Sequence, residues 1–435
     1  MLFYGVQIQL LCYNKYNGGS GGIHPIKKTC FSVSGTYFLL INETFSKNLL
    51  RFFPCKCEER RAYEYSCEMI WSNVDMRYVS LFYSALEREQ LTQYPELKLE
   101  GLKALTDETG ILQHTKYSII DKRQGYTTDD NARALIAALR FHKIYNNTEA
   151  LNLAQTYLTF LLLMQKNRGT FHNVLGIDRS YRDKVGSEDS NGRAIWATGY
   201  TLVSNATIEM KQITREMFDI VLPKSRRFTA PRAKAFTLIG LADYFSSFPD
   251  DTNILCEIEA LAGSLVSRYK MEMTKNWRWF EPYLTYCNAR LCQALFMAYI
   301  ATDNKSYLEV AEESLDFLIQ EQFSEGILQP VGTKGWYHKG RRKAQFDQQP
   351  IEASCMVEAA VSAMKCTKNS KYKDLALEAF DWYHCSNIRR APLIDKDNFS
   401  CYDGITSKGL NQNRGAESTI SYYLAYLLLK ENKIL

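Results

Sequence analysis

Clusters of polar residues recur at the start of helix-patterned segments, and this recurrence strongly constrains the fold. From about Glu96 onward, apolar residues repeat at helical spacing in pairs of segments, and a mostly long polar loop leads into the second segment of each pair. The openings of these second segments are separated by roughly 40 to 65 residues, at the long end of helical-repeat periods. Because each hairpin buries one face against its neighbours, six hairpins can close into a ring with all openings at one mouth. The openings begin near Asp129, Asp189, Pro231, Tyr283, Pro350 and Gly415.

The two members of each pair differ in their patterning. First members have a polar and an apolar face, whereas second members are rich in Ala, Gly and Leu on most sides, as in ARALIAAL after Asn131. A helix that is apolar all round is a buried helix, so the second members are inner helices and the first members outer ones. Outer helices are predicted over Glu96–Thr106, Thr148–Gln165, Thr207–Val221, Asn253–Lys270, Lys305–Gln322 and Lys371–His384, and inner helices over Asp130–Tyr145, Ser190–Ser204, Pro231–Phe248, Tyr283–Thr302, Ile351–Met364 and Ala416–Lys430.

The loops show the same asymmetry. Loops from inner to outer helices are short, such as Asn146–Asn147, and most loops from outer to inner helices are long, such as Phe323–Gln349. Long loops without structure of their own are usually functional. The sequence therefore predicts an all-α fold, an (α/α)6 toroid of six helical hairpins over residues 91–435, with a functional face at the N-terminal ends of the inner helices.

Residues 1–90 have a different character. They contain GGSGG at Gly18–Gly22, short β-rich runs such as TYFLLI, and no helical period before Arg60. The run RRAYEYSCEMIWSNVDMRYVSLFYSALERE then indicates one long amphipathic helix. We therefore expect two domains, a small irregular α/β segment over 1–90 and the toroid over 91–435.

Bulk composition excludes several classes of protein. The net charge of +5 is mild and spread along the 435 residues, which disfavours nucleic acid as a partner. The 12 cysteines are dispersed without zinc-ligand spacing, which predicts no metal site and a reducing, cytoplasmic compartment. No run reaches the ~18 apolar residues of a membrane span, and the N-terminus lacks the features of a signal peptide. Motifs for phosphate or dinucleotide binding are absent, so no cofactor is expected.

Paired carboxylates open the first two inner helices. Asp129 and Asp130 exceed what helix capping requires, although an N-cap with dipole-favoured acids is the simpler interpretation. The run Glu188, Asp189, Ser190, Asn191 repeats the theme, either for substrate or as a structural network with Arg193. Facing acidic pairs raise at least one pKa, and carboxyls of unequal pKa form an acid and a base.

The remaining openings favour a polyhydroxylated ligand. Aromatic rings beside a carboxylate suit a sugar, although core packing is the alternative for the Trp residues, and amides both donate and accept hydrogen bonds. Trp336 lies in the loop before the fifth opening. A lone loop histidine such as His172 can donate to a ligand but is more often incidental. We expect the catalytic pair among Asp130, Asp189, Glu281 and Glu417, and substrate contacts from Asp129, His172, Glu188, Asn191, Arg193, Trp279, Tyr286, Asn288, Gln348, Gln349, Glu352, Asp403 and Asn413.

Several of these stretches together resemble a known domain. TGILQHTKYSIIDKRQGYTTDDNARALIAAL, SEDSNGRAIWATGY, WRWFEPYLTYCNARLCQAL, FDQQPIEA and NRGAESTISY are similar to the (α/α)6 domain of bacterial carbohydrate-active proteins, over about Leu91 to Leu435. That domain often follows a glycosyltransferase of the two-Rossmann (GT-B) type, and its fold is shared with six-hairpin glycosidases and N-acetylglucosamine 2-epimerase-like enzymes. The helix after Arg60 resembles the last helix of such transferases. The resemblance implies that 1–90 is a transferase remnant too small to bind a sugar nucleotide.

Three functions follow as alternatives. The first is a glycoside hydrolase that acts on an oligosaccharide through paired carboxylates, with inversion favoured by a wider carboxylate separation. The second is a non-catalytic sugar-binding domain that works beside a glycosyltransferase partner. The third is an epimerase, for which only His172 and His338 are available at the mouth, or a polysaccharide lyase that uses Tyr126, Arg193 and Arg342.

Overall fold

A computed structural model describes residues 30–33, 36–39 and 94–435 of the chain. The chain divides into two compact units, Met1–Gln93 and Tyr94–Leu435. In the first unit, strands β1 (Cys30–Val33) and β2 (Thr36–Leu39) pair antiparallel, with Phe31 opposite Phe38. The amphipathic helix predicted after Arg60 lies outside the described residues, so the interpretation of 1–90 stays a prediction.

The second unit is a ring of alternating helices. Its inner helices contact one another in the order α2, α4, α6, α8, α10, α12, and α12 contacts α2 again, so the ring is closed. The expected (α/α)6 toroid is confirmed. In the described residues, the helices are α1 (Glu100–Leu105), α2 (Thr128–Tyr145), α3 (Thr148–Met164), α4 (Glu188–Val203), α5 (Ile208–Ser225), α6 (Pro231–Phe245), α7 (Thr252–Glu272), α8 (Ala289–Thr302), α9 (Lys305–Gln322), α10 (Pro350–Thr367), α11 (Lys371–Asp381) and α12 (Ala416–Glu431), with a 3-10 turn at Lys122–Gln124.

The closest pairing of helices differs from the one predicted. Among the outer helices, each of the first five inner helices packs most closely on the one that follows it through a short turn, as α2 packs on α3 across Asn146 and Asn147. The helices that a long loop joins pack less closely on one another. A short connection forces its two helices to be neighbours. The prediction instead paired the helices that a long loop joins, and a long loop does not impose close packing.

The boundary of the fourth inner helix is the largest departure from the predicted bounds. Helix α8 begins at Ala289, whereas the pattern predicted a start at Tyr283. Residues Tyr283–Leu284 form strand β7, which pairs antiparallel with strand β10 (Tyr337–His338) in the loop before α10. In this extended segment Leu284 and Cys287 are buried, whereas Tyr286 is 37% exposed.

Side chains that precede the inner helices stabilise their N-terminal ends. The Thr127 hydroxyl accepts a hydrogen bond from the backbone N–H of Asp130, and the Ser187 hydroxyl accepts one from Ser190. Helix α6 begins with Pro231, and its entrance is bound by Glu188, whose carboxylate accepts from the backbone N–H groups of Thr229 and Ala230. These caps satisfy N–H groups that lack partners within the helix.

Short antiparallel strands link the long loops above the ring. The strand β5 pairs with β6 across the first two long loops, and the β7–β10 pair joins two others. These links bring loops from successive hairpins into one layer above the mouth. The other strands of this unit are β3 (Thr115–Lys116), β4 (Ile119–Ile120), β5 (Tyr126–Thr127), β6 (Val174–Leu175), β8 (Phe323–Ser324), β9 (Ile327–Leu328), β11 (Ile405–Thr406) and β12 (Gly409–Leu410).

No helix in the described part of the chain is both long and apolar enough to cross a lipid bilayer.

Glycines allow the inner helices α4 and α6 to approach closely. A Cβ atom at Gly199 would lie 2.3 Å from the carbonyl oxygen of Gly240, and one at Gly240 would lie 2.5 Å from the Cα of Trp196. Gly192, two turns earlier on α4, faces the backbone of Ala233 in the same way. Because the obstructing atoms belong to backbone, a side chain there requires the two helices to separate.

We predict that Gly199→Ala destabilises the protein, while Gly263→Ala does not. The first change forces α4 and α6 apart and should lower the free energy of unfolding by about 1–3 kcal/mol. Gly263 lies within α7 with no atom within 4 Å of an added Cβ, so alanine should be neutral or stabilising by up to about 1 kcal/mol. Urea denaturation of both variants measures this, and equal effects would contradict the close packing of the inner helices.

Candidate functional site

A cavity of about 520 Å³ opens at the N-terminal ends of the inner helices. It lies on the face that loop length predicted to be functional. Its walls come from helices or loops of five of the six hairpins, so it is one site shared by most of the ring. The lining residues are Asp129, Ser187, Asp189, Arg193, Tyr286, Thr333, Trp336, Gln349, Ile351 and Glu417.

Three carboxylates form one wall of the cavity. Asp129, Asp189 and Glu417 each lie in the first turn of an inner helix, and the three helices α2, α4 and α12 are consecutive around the ring. Helix dipoles favour negative charge at these positions. The side chains of Asp129 and Glu417 are 26% and 40% exposed, so both present oxygen atoms to the cavity while remaining anchored.

Two buried arginines hold this wall in place. Arg193 of α4 lies 2.7 Å from Asp129 of α2, and Arg133 of α2 lies 3.1 Å from Glu417 of α12. Both guanidinium groups are almost fully buried, and that of Arg193 stacks 4.2 Å from the centre of the Phe236 ring. Each arginine therefore holds its own helix against the neighbouring inner helix, α4 against α2 and α2 against α12.

Asp130 lies directly beneath the acidic wall. Its carboxylate accepts from the Thr127 hydroxyl at 2.7 Å and from Arg133 at 2.8 Å, and the residue is buried. Burial raises its pKa to about 6, and the neighbouring charges of Asp129 and Glu417 act in the same direction, while Arg133 opposes them. Repulsion among the acids contributes as expected, but loss of solvent is the larger cause.

Asp189 has a different environment from the other two wall carboxylates. Its Oδ2 accepts a hydrogen bond of 2.7 Å from the Tyr286 hydroxyl, a neutral donor. Within the described chain it forms no ion pair, although the charge of Arg193 is near enough to interact with it. Asp189 is thus the wall carboxyl with the least cationic support.

A second wall, which adjoins Asp189 at Tyr286, is aromatic and amide in character. Tyr286 and Trp336 contribute rings, Gln349 contributes an amide, and Ile351 contributes an apolar side chain. Trp336 has a positive φ of 50° and directly precedes β10, whose pairing with β7 places it beside the loop that carries Tyr286. The two walls together combine acids with rings and hydrogen-bonding groups.

Besides Asp130, four of the expected site residues are buried below the cavity. Glu281 lies 2.6 Å from the Arg232 guanidinium, and Trp279 packs in the core with no exposed surface. The Glu352 carboxylate accepts from the backbone of Cys287 and from the side chain of Asn288. These groups support the loop before α8 from beneath, and in this structure they do not face the cavity.

The other expected residues bind the loops around the mouth. Glu188 binds the entrance of α6, as described above, and the side chain of Asn191 accepts from Phe171 N. His172 Nδ1 bonds to the Asp183 carbonyl, and its ring stacks on Tyr181. The remaining contacts are Gln348 with Gln345 and Trp382, Asp403 with Gly415, and Asn413 with Tyr117.

Asp129, Asp189, Arg193, Tyr286, Gln349 and Glu417 are therefore the expected site residues that line the cavity. Three further lining residues, Ser187, Thr333 and Ile351, were not expected. Ser187 is recognisable from sequence as an N-cap, but neither Thr333 nor Ile351 has a pattern that distinguishes it from its neighbours. No group of three or more His, Cys, Asp or Glu in the described residues is arranged to hold a metal ion.

Solved structures with the same fold include enzymes named for their action on sugars. Cellobiose 2-epimerase from Bacillus thermoamylovorans B4167 superposes with a TM-score of 0.62 at 11% identity, covering 82% of this chain and 100% of its own. The GH76 α-mannanase from Bacteroides thetaiotaomicron has a TM-score of 0.57 at 11% identity, with 77% and 93% covered.

A third structure contains a ligand. It is an inactive variant of the GH76A α-1,6-mannanase from Salegentibacter sp. HEL1_6, with two adjacent aspartates replaced by alanine, in complex with α-1,6-mannotetrose. Its TM-score is 0.53 at 12% identity, with 76% of this chain and 95% of its own covered. At these identities the likeness establishes the toroid fold alone. No family model and no curated protein sequence matches the chain.

We predict that the contribution of Glu352 to the free energy of unfolding decreases as the pH rises from about 4.5 to 7. Burial raises the pKa of this carboxyl from 4.5 to about 7. The folded state therefore retains a proton that the unfolded chain releases in this window, so the contribution is favourable below it and is lost above. The unfolding free energy of wild type should therefore fall relative to that of Glu352→Gln as the pH rises through this range. Parallel pH curves for the two proteins would contradict the assignment.

Proposed function

We propose that the protein is a glycoside hydrolase that acts on an oligosaccharide bound in the cavity at the mouth of the toroid. One observation carries the proposal: three carboxylates from consecutive inner helices line a single cavity together with aromatic rings and an amide. Glycoside hydrolysis needs one carboxyl that donates a proton to the glycosidic oxygen and one carboxylate that acts at the anomeric carbon, directly or through water.

We assign the proton donor to Asp189. A general acid must place a carboxyl oxygen within hydrogen-bond reach of the glycosidic oxygen, and Asp189 is the lining carboxyl that no arginine holds in an ion pair. Asp189 is bonded to Tyr286, whereas Asp129 and Glu417 are bonded to arginines.

We assign the ionised carboxylate to Asp129. Arg193 lies 2.7 Å away and is itself almost fully buried, so Asp129 has a fixed guanidinium as its partner. An ionised carboxylate either activates a water molecule or attacks the anomeric carbon. Glu417, whose side chain is 40% exposed, is then free to bind sugar hydroxyls.

The aromatic and amide wall suits a sugar. Trp336 and Tyr286 offer ring faces for the C–H groups of a pyranose, and the Gln349 amide both donates and accepts hydrogen bonds. The neighbours support this ligand class, since one of them binds α-1,6-mannotetrose. That mannanase is inactive when two adjacent aspartates are replaced, and this chain also has adjacent aspartates, Asp129 and Asp130, at its mouth.

Two other chemistries fit the cavity less well. An epimerase needs a pair of imidazoles across the mouth, and none of the lining residues is a histidine. A lyase needs cations to neutralise a uronate, but three lining carboxylates face a single lining arginine, Arg193, and would repel such a substrate. Hydrolysis of a neutral oligosaccharide agrees with the charge of the cavity.

The domain organisation completes the proposal. Residues 91–435 form the hydrolase, and residues 1–90 resemble the end of a glycosyltransferase. A separate glycosyltransferase is a candidate partner in this view, and the toroid would then trim or bind the glycan which that enzyme makes. The sequence resemblance of the helix after Arg60 supports this part of the proposal.

We predict that wild type hydrolyses at least one member of an oligosaccharide panel that includes α-1,6-mannotetraose, and that Asp189→Asn and Asp129→Asn are about 10²–10⁴-fold slower. Released reducing ends measure hydrolysis, and calorimetry on the same panel measures binding. Glu149→Gln is the control, because Glu149 is an exposed carboxylate paired with Lys103 on the opposite face of the ring.

The two measurements separate the alternatives. Binding without hydrolysis by wild type would reject the hydrolase and favour a sugar-binding domain. Full activity of both aspartate variants would reject the assigned residues.

A further inference from the structure

We infer that the buried ion pair between Arg232 and Glu281 is a positioning device for the proposed proton donor, acting through Tyr286. This inference rests on the proposed hydrolase function and adds to it two residues that do not face the cavity. Four side chains from three parts of the fold form one continuous series of contacts, Glu281 to Arg232 to Tyr286 to Asp189.

The series begins with a fixed charge pair. The Glu281 Oε2 atom lies 2.6 Å from Nη1 of Arg232, and both side chains are about 4% exposed or less. The backbone around Glu281 is also held, because the Trp277 indole N–H donates to the Glu281 carbonyl at 2.7 Å. The carboxylate therefore has little freedom to move.

Arg232 then holds the segment that carries Tyr286. Its Nε donates to the Tyr286 carbonyl oxygen at 2.5 Å, and its guanidinium stacks 4.7 Å from the centre of the Tyr286 ring. It also donates to the Asn288 side chain at 3.3 Å. One guanidinium thus fixes both the backbone and the ring plane of Tyr286.

Tyr286 in turn holds Asp189 through a hydrogen bond. Its hydroxyl donates to Oδ2 of Asp189 at 2.7 Å, which occupies one carboxyl oxygen. The proton of the acid is therefore directed to Oδ1, the oxygen available to a glycosidic oxygen in the cavity. Proton transfer depends on hydrogen-bond reach, so a carboxyl held in one orientation is a better donor than one that rotates.

The energetics of buried ion pairs support a positioning role. Burial of two charges costs about as much as their attraction returns, so a pair of this kind is weak evidence for stability alone. Here the hydrogen bonds of the guanidinium go to the Tyr286 carbonyl and to Asn288, which fix a loop. Glu281, which lies too deep to contact substrate, acquires a role in catalysis through its neighbours.

The test compares two glycosides of the sugar that the panel identifies. A dinitrophenyl aglycone leaves without protonation, whereas a phenyl aglycone requires the general acid. We expect Tyr286→Phe to slow the phenyl glycoside about tenfold, the effect of one hydrogen bond to an ionisable group, and to change the dinitrophenyl glycoside little. The ratio of the two rates cancels any loss of sugar binding, because both substrates carry the same sugar.

Arg232→Lys is the second variant. It keeps a positive charge beside Glu281 but cannot bond the Tyr286 carbonyl and stack on the ring together, so the same selective loss is expected. Matched controls exist elsewhere in the fold, where Arg215 donates to the Tyr244 hydroxyl at 2.7 Å and stacks over its ring at 5.2 Å. Arg215→Lys and Tyr244→Phe should leave the ratio of rates unchanged.

The outcomes separate this inference from the function on which it rests. Wild-type hydrolysis with equal slowing of both glycosides in Tyr286→Phe would overturn the positioning role and leave the hydrolase standing. An unchanged ratio in Arg232→Lys, with the selective loss retained in Tyr286→Phe, would remove Arg232 and Glu281 from the mechanism. Absence of hydrolysis by wild type on every glycan would overturn the hydrolase and this inference together.

Discussion

Buried arginines that bridge neighbouring inner helices are the interaction on which the rest of the structure depends. Arg193 joins α4 to Asp129 of α2, Arg133 joins α2 to Glu417 of α12, and Arg290 joins α8 to Glu358 of α10 at 2.6 Å. Loss of one partner would leave a charge buried without compensation, which typically costs 3–5 kcal/mol. The bridges therefore specify which inner helices are neighbours at the mouth.

The same bridges determine the chemistry of the cavity. Asp129 and Glu417 are both structural partners of arginines and parts of the cavity wall, so the fold places a guanidinium beside each of them. Asp189 stands apart because its hydrogen bond comes from a tyrosine hydroxyl. Neighbouring carboxyls with different partners, an arginine for one and a tyrosine hydroxyl for another, can serve as the base and the acid of one site. Stability and proposed catalysis thus depend on one set of residues.

The fold was predictable from sequence because its signals are local. The alternation of amphipathic and wholly apolar helices distinguishes outer from inner members, and loop length distinguishes the two faces. The start of α8 was misplaced because Tyr283 and Leu284 have apolar character that suits a strand as well as a helix. Their pairing with Tyr337 and His338, more than fifty residues later in the chain, is a long-range event that no local pattern contains.

The site was predictable only as a set of candidates. Adjacent residues on a helix point about 100° apart, so Asp129 can line the cavity while Asp130 is buried beneath it. Which of the two faces the cavity depends on helix rotation within the ring. The arginine partners are even less accessible to sequence, since Arg193 and Asp129 are 64 residues apart and Arg133 and Glu417 are 284 apart. Glu281 was a candidate for the catalytic pair from sequence, and its buried contact with Arg232, 49 residues earlier in the chain, has no local signal.

The most direct test is a crystal structure of Asp189→Asn with an oligosaccharide from the panel bound. The account predicts a sugar chain across the cavity, with a glycosidic oxygen within about 2.6–3.2 Å of the side chain at position 189 and Asp129 near the adjoining anomeric carbon. A sugar bound in the cavity with no glycosidic oxygen near position 189, or bound outside the cavity, would contradict the account.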